Sequence, residues 1–396
     1  MERGNVVLER AERFAKPHKI AKEKIDQAIE KALDKLERGI PKWSDSFAKS
    51  CTVNFVYPKG GNNDWVCGMQ TGTYWLAYEL SGNRKFRDIA EKQLRTYRDR
   101  LDFRIGVDDH DVGFVYSPSC VAAYKITGDE KARKLALDAA DYYYHTSYTK
   151  EGGFILRGWN WENAEGCRTM MDTLMNAPFL FWAGKEAHKQ EYIDAAVSQQ
   201  RITEQCLIRE DGSSFHHYQF DPKTYKPLYG VTWQGHSNDS CWSRGQAWGV
   251  YGFPIAYSYC KEEFLVNLHR DITYYMLNKL PEDLIPHWDF DFAENADAPR
   301  DSSAGVVAVC GMREMCKYLP ENAPQKPVFE SASAQMLEAV IDHCAGDTGR
   351  EYEGLICHVT HALPQGLGID ECAVYGDYFY LEALMRFVNP DLNRYW

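Results

Sequence analysis

The sequence predicts an all-α chain folded as an (α/α)6 barrel, a ring of inner helices wrapped by outer ones. Three observations carry that reading. Helical periodicity dominates the chain, and strand-like alternation is scarce. A loose internal repeat couples an apolar, small-residue-rich segment to a charged amphipathic one. Long loops crowded with Trp, His, Asp and Gly precede the apolar segments, and in a closed ring such loops converge over one pocket.

In chain order, residues 21–40 place Ile25, Ile29, Leu33 and Leu36 at three- to four-residue spacing, which predicts a one-faced helix. The segment TYWLAYELSGN, ending at Asn83, is apolar throughout and predicts a buried helix closed by Gly82. Residues 86–101 follow with the stripe Phe86, Ile89, Ala90, Leu94 and Tyr97. The scheme recurs at SCVAAYKITGD, where Gly128 is the predicted stop and Asp129 the next N-cap, as Asn83 is before it. Residues 129–145 then carry Ala132, Leu135, Ala136, Ala139 and Tyr143 against a charged back. Three further pairs are predicted: 172–184 with 191 onward, 244–260 with 264 onward, and 302–319 with 328 onward. The long loops are 54–68, 108–113, 157–171, 215–243 and 286–303. With no Pro/Gly/Ser-rich linker in the chain, residues 1–396 are expected to form one catalytic domain, with 1–20 as an N-terminal arm.

Composition removes several classes of function. Hydrophobic residues are 44% and charged residues 26%, which suits a folded chain and not a disordered one. A formal charge of −12 without any dense Lys/Arg cluster argues against nucleic-acid partners. No run approaches the ~20 apolar residues of a spanning helix, so no membrane role is expected. The opening MERGNVVLERAERFAKPHK is charged and lacks a secretory apolar core, which predicts a cytoplasmic protein. Twelve cysteines without a CxxC pair fit free thiols in a reducing compartment. The aromatic share of 14% suits sugar rings as well as cores.

Two acidic motifs stand out. VDDHDVGFVY places Asp111, after His110, just ahead of an apolar stretch, and RTMMDTLMNAPFLFWA does the same for Asp172. A carboxyl set among apolar neighbours is raised in pKa, which suits acid catalysis at neutral pH; the alternative is that each aspartate merely caps its helix. A third constellation spans 215–248 and holds His216, His217, Gln234, His236, Trp242, Arg244 and Trp248. Guanidinium and indole groups together suit an acidic sugar. Arg244 could instead pair with Asp239 or another acid, and Trp248 in an apolar helix could be core. The three histidines lack the spacing of a zinc pair, so neither metal nor cofactor is expected.

Taken together, these motifs resemble the unsaturated glucuronyl hydrolases of glycoside hydrolase family 88. That family carries a HDxGF motif and an IDxMMN-like motif, their functional aspartates about sixty residues apart, and here Asp111 and Asp172 stand 61 apart. Trp65 before CGM, His216 in FHH, Gln234 in WQG, Arg244 in WSRGQAW, RDSSA at 300–304 and ECAVYGDYFY at 371–380 follow in the family order, covering about residues 50 to 390. The second motif reads MMDTLMN, a conservative departure. Members adapted to sulfated chondroitin disaccharides carry a serine and lysine cluster near the C-terminal loop; here that stretch reads LPQGLGIDECAVYGD, which argues against a sulfated amino-sugar partner held in that way.

The resemblance implies that the substrate is a lyase-generated oligosaccharide whose nonreducing uronic acid has a C4=C5 double bond, and that the reaction is hydration of that bond. Asp172 is then the general acid and base and Asp111 its neighbour, with Trp65, Trp242 and Trp248 as walls, His110 and Gln234 as polar contacts, Arg244 a contact in the uronate or partner-sugar region, and Trp159, His216 and Tyr375 further substrate-binding residues. Three alternatives stand beside it: an unsaturated rhamnogalacturonyl hydrolase, a sugar 2-epimerase using His216 and His217, and a noncatalytic helical-repeat binding protein.

Overall fold

Gly82 ends a helix in the left-handed conformation (φ 68°), and Asn83 at once starts the next by accepting the Lys85 N–H. Gly128 (φ 72°) and Asp129, which takes the Lys131 and Ala132 N–H groups, repeat the device. Both turns are those the sequence predicts, because glycine reaches positive φ at low cost and a short polar side chain satisfies the orphan donors of the following helix. The computed structural model describes residues 6–156, 166–293, 297–345, 351–392 and 395–396.

Outer and inner helices alternate along the chain. The outer ones are α1 (Lys22–Trp43), α3 (Arg84–Leu94), α5 (Glu130–Ser147), α7 (Gln190–Ile202), α9 (Phe264–Asn278) and α11 (Gln325–His343). The inner ones are α2 (Cys67–Ser81), α4, α6, α8 (Ser243–Cys260), α10 (Ser302–Cys316) and α12 (Val374–Val388). Two inner members are composite: α4 runs through Val112–Tyr116, a π turn Ser117–Val121 containing Pro118, and Ala122–Thr127, while α6 comprises Thr173–Asn176 and Pro178–Ala187. Proline withholds an N–H from the helical ladder, which accounts for the breaks. The inner helices are apolar on all sides and buried over most of their length, whereas the outer ones bury one stripe. Consecutive inner helices pack against one another, and α12 packs against α2, so the ring closes. That is the (α/α)6 arrangement the periodicity predicts, and closure rules out an open superhelix.

Several details differ from the sequence reading. Residues 86–101 are not one helix, because α3 stops at Leu94 and a short helix, Tyr97–Asp102, follows. The loop 215–243 contains strands, since Arg168–Met170 pairs antiparallel with His217–Phe220, and that with Pro227–Val231. HHYQF is too short and too polar to show alternation, so the pairing is set by the fold and not by local pattern. The first helix passes through Pro41 to Trp43.

Residues ahead of α1 lie against α11 and the end of α9. Arg13 donates to the Leu280 and Pro281 carbonyls (2.9 and 2.8 Å), and Gln335 Nε2 donates to the Arg13 carbonyl (3.0 Å). At the end of the ring where α10 and α12 finish, the buried Arg386 pairs with Glu314 (2.7 Å) and Glu382 (2.9 Å), and Trp396 Nε1 donates to Glu382 (3.2 Å). No described helix is long and apolar enough to cross a membrane.

Candidate active site

The N-terminal ends of the inner helices carry the chemistry. Trp65 precedes α2, Asp111 and Asp172 occupy the N-caps of α4 and α6, Trp242 that of α8 and Asp301 that of α10, and Tyr375 is the second residue of α12. Contacts link neighbouring ends around the ring, Trp65 stacking on Tyr375 (centroids 5.3 Å apart) and Arg244 pairing with Asp301. The loops therefore crown one end, as the sequence predicts.

Neither aspartate caps its own helix, so the capping alternative fails for both. His110 lies between two carboxylates: Nδ1 meets Asp109, and Nε2 is 3.1 Å from Asp111 Oδ1. Burial pulls the imidazole pKa down, but Asp111, Asp109 and Asp172 together outweigh it and lift it to about 9. His110 is thus an imidazolium at neutral pH, held by Asp109 and facing Asp111.

Asp172 is buried, and one amide joins it to Asp111: Asn176 Nδ2 donates to the Asp172 carbonyl (3.0 Å) and to Asp111 Oδ1 (3.4 Å). Opposite, the Trp233 and Gln234 main-chain N–H groups donate to His216 Nδ1 (3.2 and 3.4 Å). With Nδ1 accepting, the ring proton belongs on Nε2, which faces Asp172 Oδ2 at 3.7 Å. His216 reaches this place because Met171 and His216 join at the edge of the small sheet, Met171 N–H to His216 carbonyl (3.0 Å).

Aromatic rings form the surroundings. Trp65 is partly exposed and rests on Phe114 (5.2 Å) as well as Tyr375, and Trp242 lies against His216 (4.3 Å). Trp248 is fully buried against Phe114 and Phe379, so it underlies the pocket as core, the alternative the apolar helix had left open. Gln234 donates to the His361 carbonyl (2.8 Å). Trp159 lies outside the described residues.

Arg244 departs from its expected role. Its guanidinium is 1% exposed, pairs with the buried Asp301 and not with Asp239, and donates to the Thr360 and His361 carbonyls (2.9 and 2.6 Å) between the rings of Trp242 and Tyr375. Both terminal nitrogens of the fork are engaged in pinning the 358–371 segment. Burial, aided by the Arg244 charge, holds His361 down to about 3, so the ring is neutral where its Nδ1 hydrogen-bonds with Tyr375 OH (3.1 Å).

Asp109, His110 and Asp111 bring three potential metal-ligand atoms, two carboxylate oxygens and an imidazole nitrogen, within 4.8 Å of one another. Both ring nitrogens of His110 face carboxylates, and the imidazolium supplies the positive charge a cation would bring. Sequence reasoning missed Asp109, Asn176 and Asp301 as members of this cluster; Asn176 sits four residues after Asp172, on the same helix face, which is the signal that could have found it. A separate cavity of about 1140 Å³ between α1, α11 and α12, lined by residues such as Lys35, Tyr57 and Asp377, contains none of the expected site residues.

Comparison with known proteins identifies the family. Residues 40–288 match the model of Glycosyl Hydrolase Family 88. The chain is 42% identical over 385 residues to an unsaturated chondroitin disaccharide hydrolase of Streptococcus pneumoniae, covering 97% of each chain. It is 35% identical over 372 residues to an unsaturated glucuronyl hydrolase of a Bacillus species, covering 93% of this chain and 98% of the relative. The crystal structure of an unsaturated glucuronyl hydrolase from Streptococcus agalactiae superposes with a TM-score of 0.95 at 38% identity, covering all of both chains. The ring, the paired aspartates and these full-length similarities lead to one conclusion: the chain belongs to glycoside hydrolase family 88.

Proposed function

We propose that this protein hydrolyses lyase-generated oligosaccharides ending in a C4=C5 unsaturated uronic acid, adding water across the double bond and releasing the partner sugar. The observation that carries the reading is the pair of aspartates at adjacent inner-helix N-caps, joined by Asn176 and facing His110 and His216. Full-length relatives named for unsaturated glucuronyl and chondroitin substrates support it over a rhamnogalacturonyl substrate. A 2-epimerase reading would need His216 and His217 as an acid–base pair, yet His216 is turned to Asp172.

Asp172 gives its proton to C4, and positive charge develops on C5 and the ring oxygen. Water adds at C5 and loses a proton to Asp172, which resets the acid. The resulting hemiketal opens to a ketone at C5, and the hemiacetal at C1 then collapses to an aldehyde as the partner sugar leaves, one water being consumed in all. Asp111, paired with the His110 imidazolium, holds sugar hydroxyls and faces the developing positive charge. With Arg244 committed to Asp301, the His110 imidazolium and the positive N-terminal ends of the inner helices that carry the site residues supply attraction for the uronate carboxylate. The net charge of −12 opposes an anion only beyond the ~8 Å screening length of physiological salt. Twelve free cysteines support a reducing, cytoplasmic setting.

The partner-sugar side favours uncharged groups. Residues 351–385 contain no Lys or Arg, and the loop at the rim exposes Leu367 and Ile369. Incubation with lyase-generated disaccharides, followed by loss of the alkene's ultraviolet absorbance, tests both statements. Unsaturated glucuronyl disaccharides are expected to be consumed, unsulfated ones faster than sulfated; an inert panel would end the substrate proposal, and a preference for sulfate would end the rim argument.

A further inference from the structure

We propose that Asn176 is a positioning residue that caps helix α4 in place of Asp111, and so releases the Asp111 carboxylate to the pocket; the functional part of this rests on the catalytic reading above. An aspartate at an N-cap ordinarily turns back to accept the N–H of the second or third helical residue. In α4 the third residue is Phe114, and its N–H is taken by Asn176 Oδ1 (2.7 Å), a side chain belonging to the neighbouring inner helix. The same amide then donates to the Asp172 carbonyl (3.0 Å) and to Asp111 Oδ1 (3.4 Å).

One side chain thus performs three tasks that only an amide combines: an acceptor for the helix end and two N–H groups for the two aspartate residues. Its orientation is fixed, because reversing the amide would set an NH2 against the Phe114 N–H. Asn176 is wholly buried, and the backbones approach so closely that a Cβ on Gly113 would lie 2.6 Å from the Asn176 Cα and carbonyl oxygen. Glycine in HDVGF is therefore part of the same device: it lets α6 come near enough for its asparagine to reach the end of α4.

A residue that merely fills space would cost stability and nothing more. A residue that holds Asp111 outward changes catalysis in a specific way. Asn176→Ala and Asn176→Asp proteins test this through crystal structures, pH–rate profiles and separate kcat and KM values. With alanine, the Asp111 carboxylate is expected to rotate onto the Phe114 N–H, and kcat to fall about tenfold to a hundredfold with KM changed less than about threefold. With aspartate, the helix cap survives but a like charge stands beside Asp111, so the acid limb of kcat/KM moves to higher pH. Should the alanine protein fail to fold, Asn176→Ser serves the same reading. An Asp111 carboxylate that stays in place, or an unchanged pH profile in Asn176→Asp, would overturn the proposal. Normal turnover by Asp111→Asn would instead remove Asp111 from the mechanism, while the rotation in the crystal still decides the cap exchange.

Discussion

Asp111 and Asp172 stand where aspartates usually serve helices, and both leave that work undone. That departure from capping is what marks them as chemistry. Replacement of Asp172 by asparagine keeps the shape and removes the transferable proton, so turnover is expected to drop ~10²- to 10⁴-fold with an unchanged circular dichroism spectrum; near-normal turnover would take Asp172 out of the role. These two residues and His216 were legible in the sequence, because short motifs preserve chemistry in local order. The sequence points Arg244 at the substrate because its partner, Asp301, lies 57 residues away and only the fold brings them together. Asn176 lies in the same motif as Asp172, but its bonds to Phe114 and Asp111 run to another helix and leave no trace in local spacing.

At the scale of elements, the five predicted helix pairs and the 21–40 helix became a ring of six pairs, completed by Val374–Val388, because buried helices are apolar all round and outer ones on one side. The small sheet beside Asp172 escaped notice for the opposite reason, its strands being too short for a period to register. Helix α8 also organises the 358–371 segment through Arg244, which holds two of its carbonyls while neutralising Asp301. Arg244→Met would leave a buried carboxylate unpaired, a loss of about 3 to 5 kcal/mol. Denaturant unfolding is expected to show that loss. A raised KM at unchanged stability would show instead that Arg244 meets the substrate directly.

The molecule as a whole is a closed ring whose core holds titratable groups out of water. Burial holds His269 down to about 3. The unfolded chain protonates this histidine as pH falls below about 6.5, whereas the folded one does not until about 3. Its contribution is therefore complete above 6.5 and is lost as pH falls from there toward 3, on the order of 1 kcal/mol per pH unit. His269→Leu is expected to flatten the decline of Tm on acidification, and an unaltered slope would show that the buried imidazole is not what limits acid stability. The same ring sets the central chemistry, since it gathers the inner-helix N-termini around one substrate. Two carboxylates in one pocket also describe glycosidases that attack C1, so residue identity alone does not separate the reactions. The position of isotopes does: turnover in deuterium oxide and oxygen-18 water is predicted to place deuterium at C4 and the heavy oxygen at C5. Oxygen-18 at C1, with the alkene absorbance surviving, would contradict hydration.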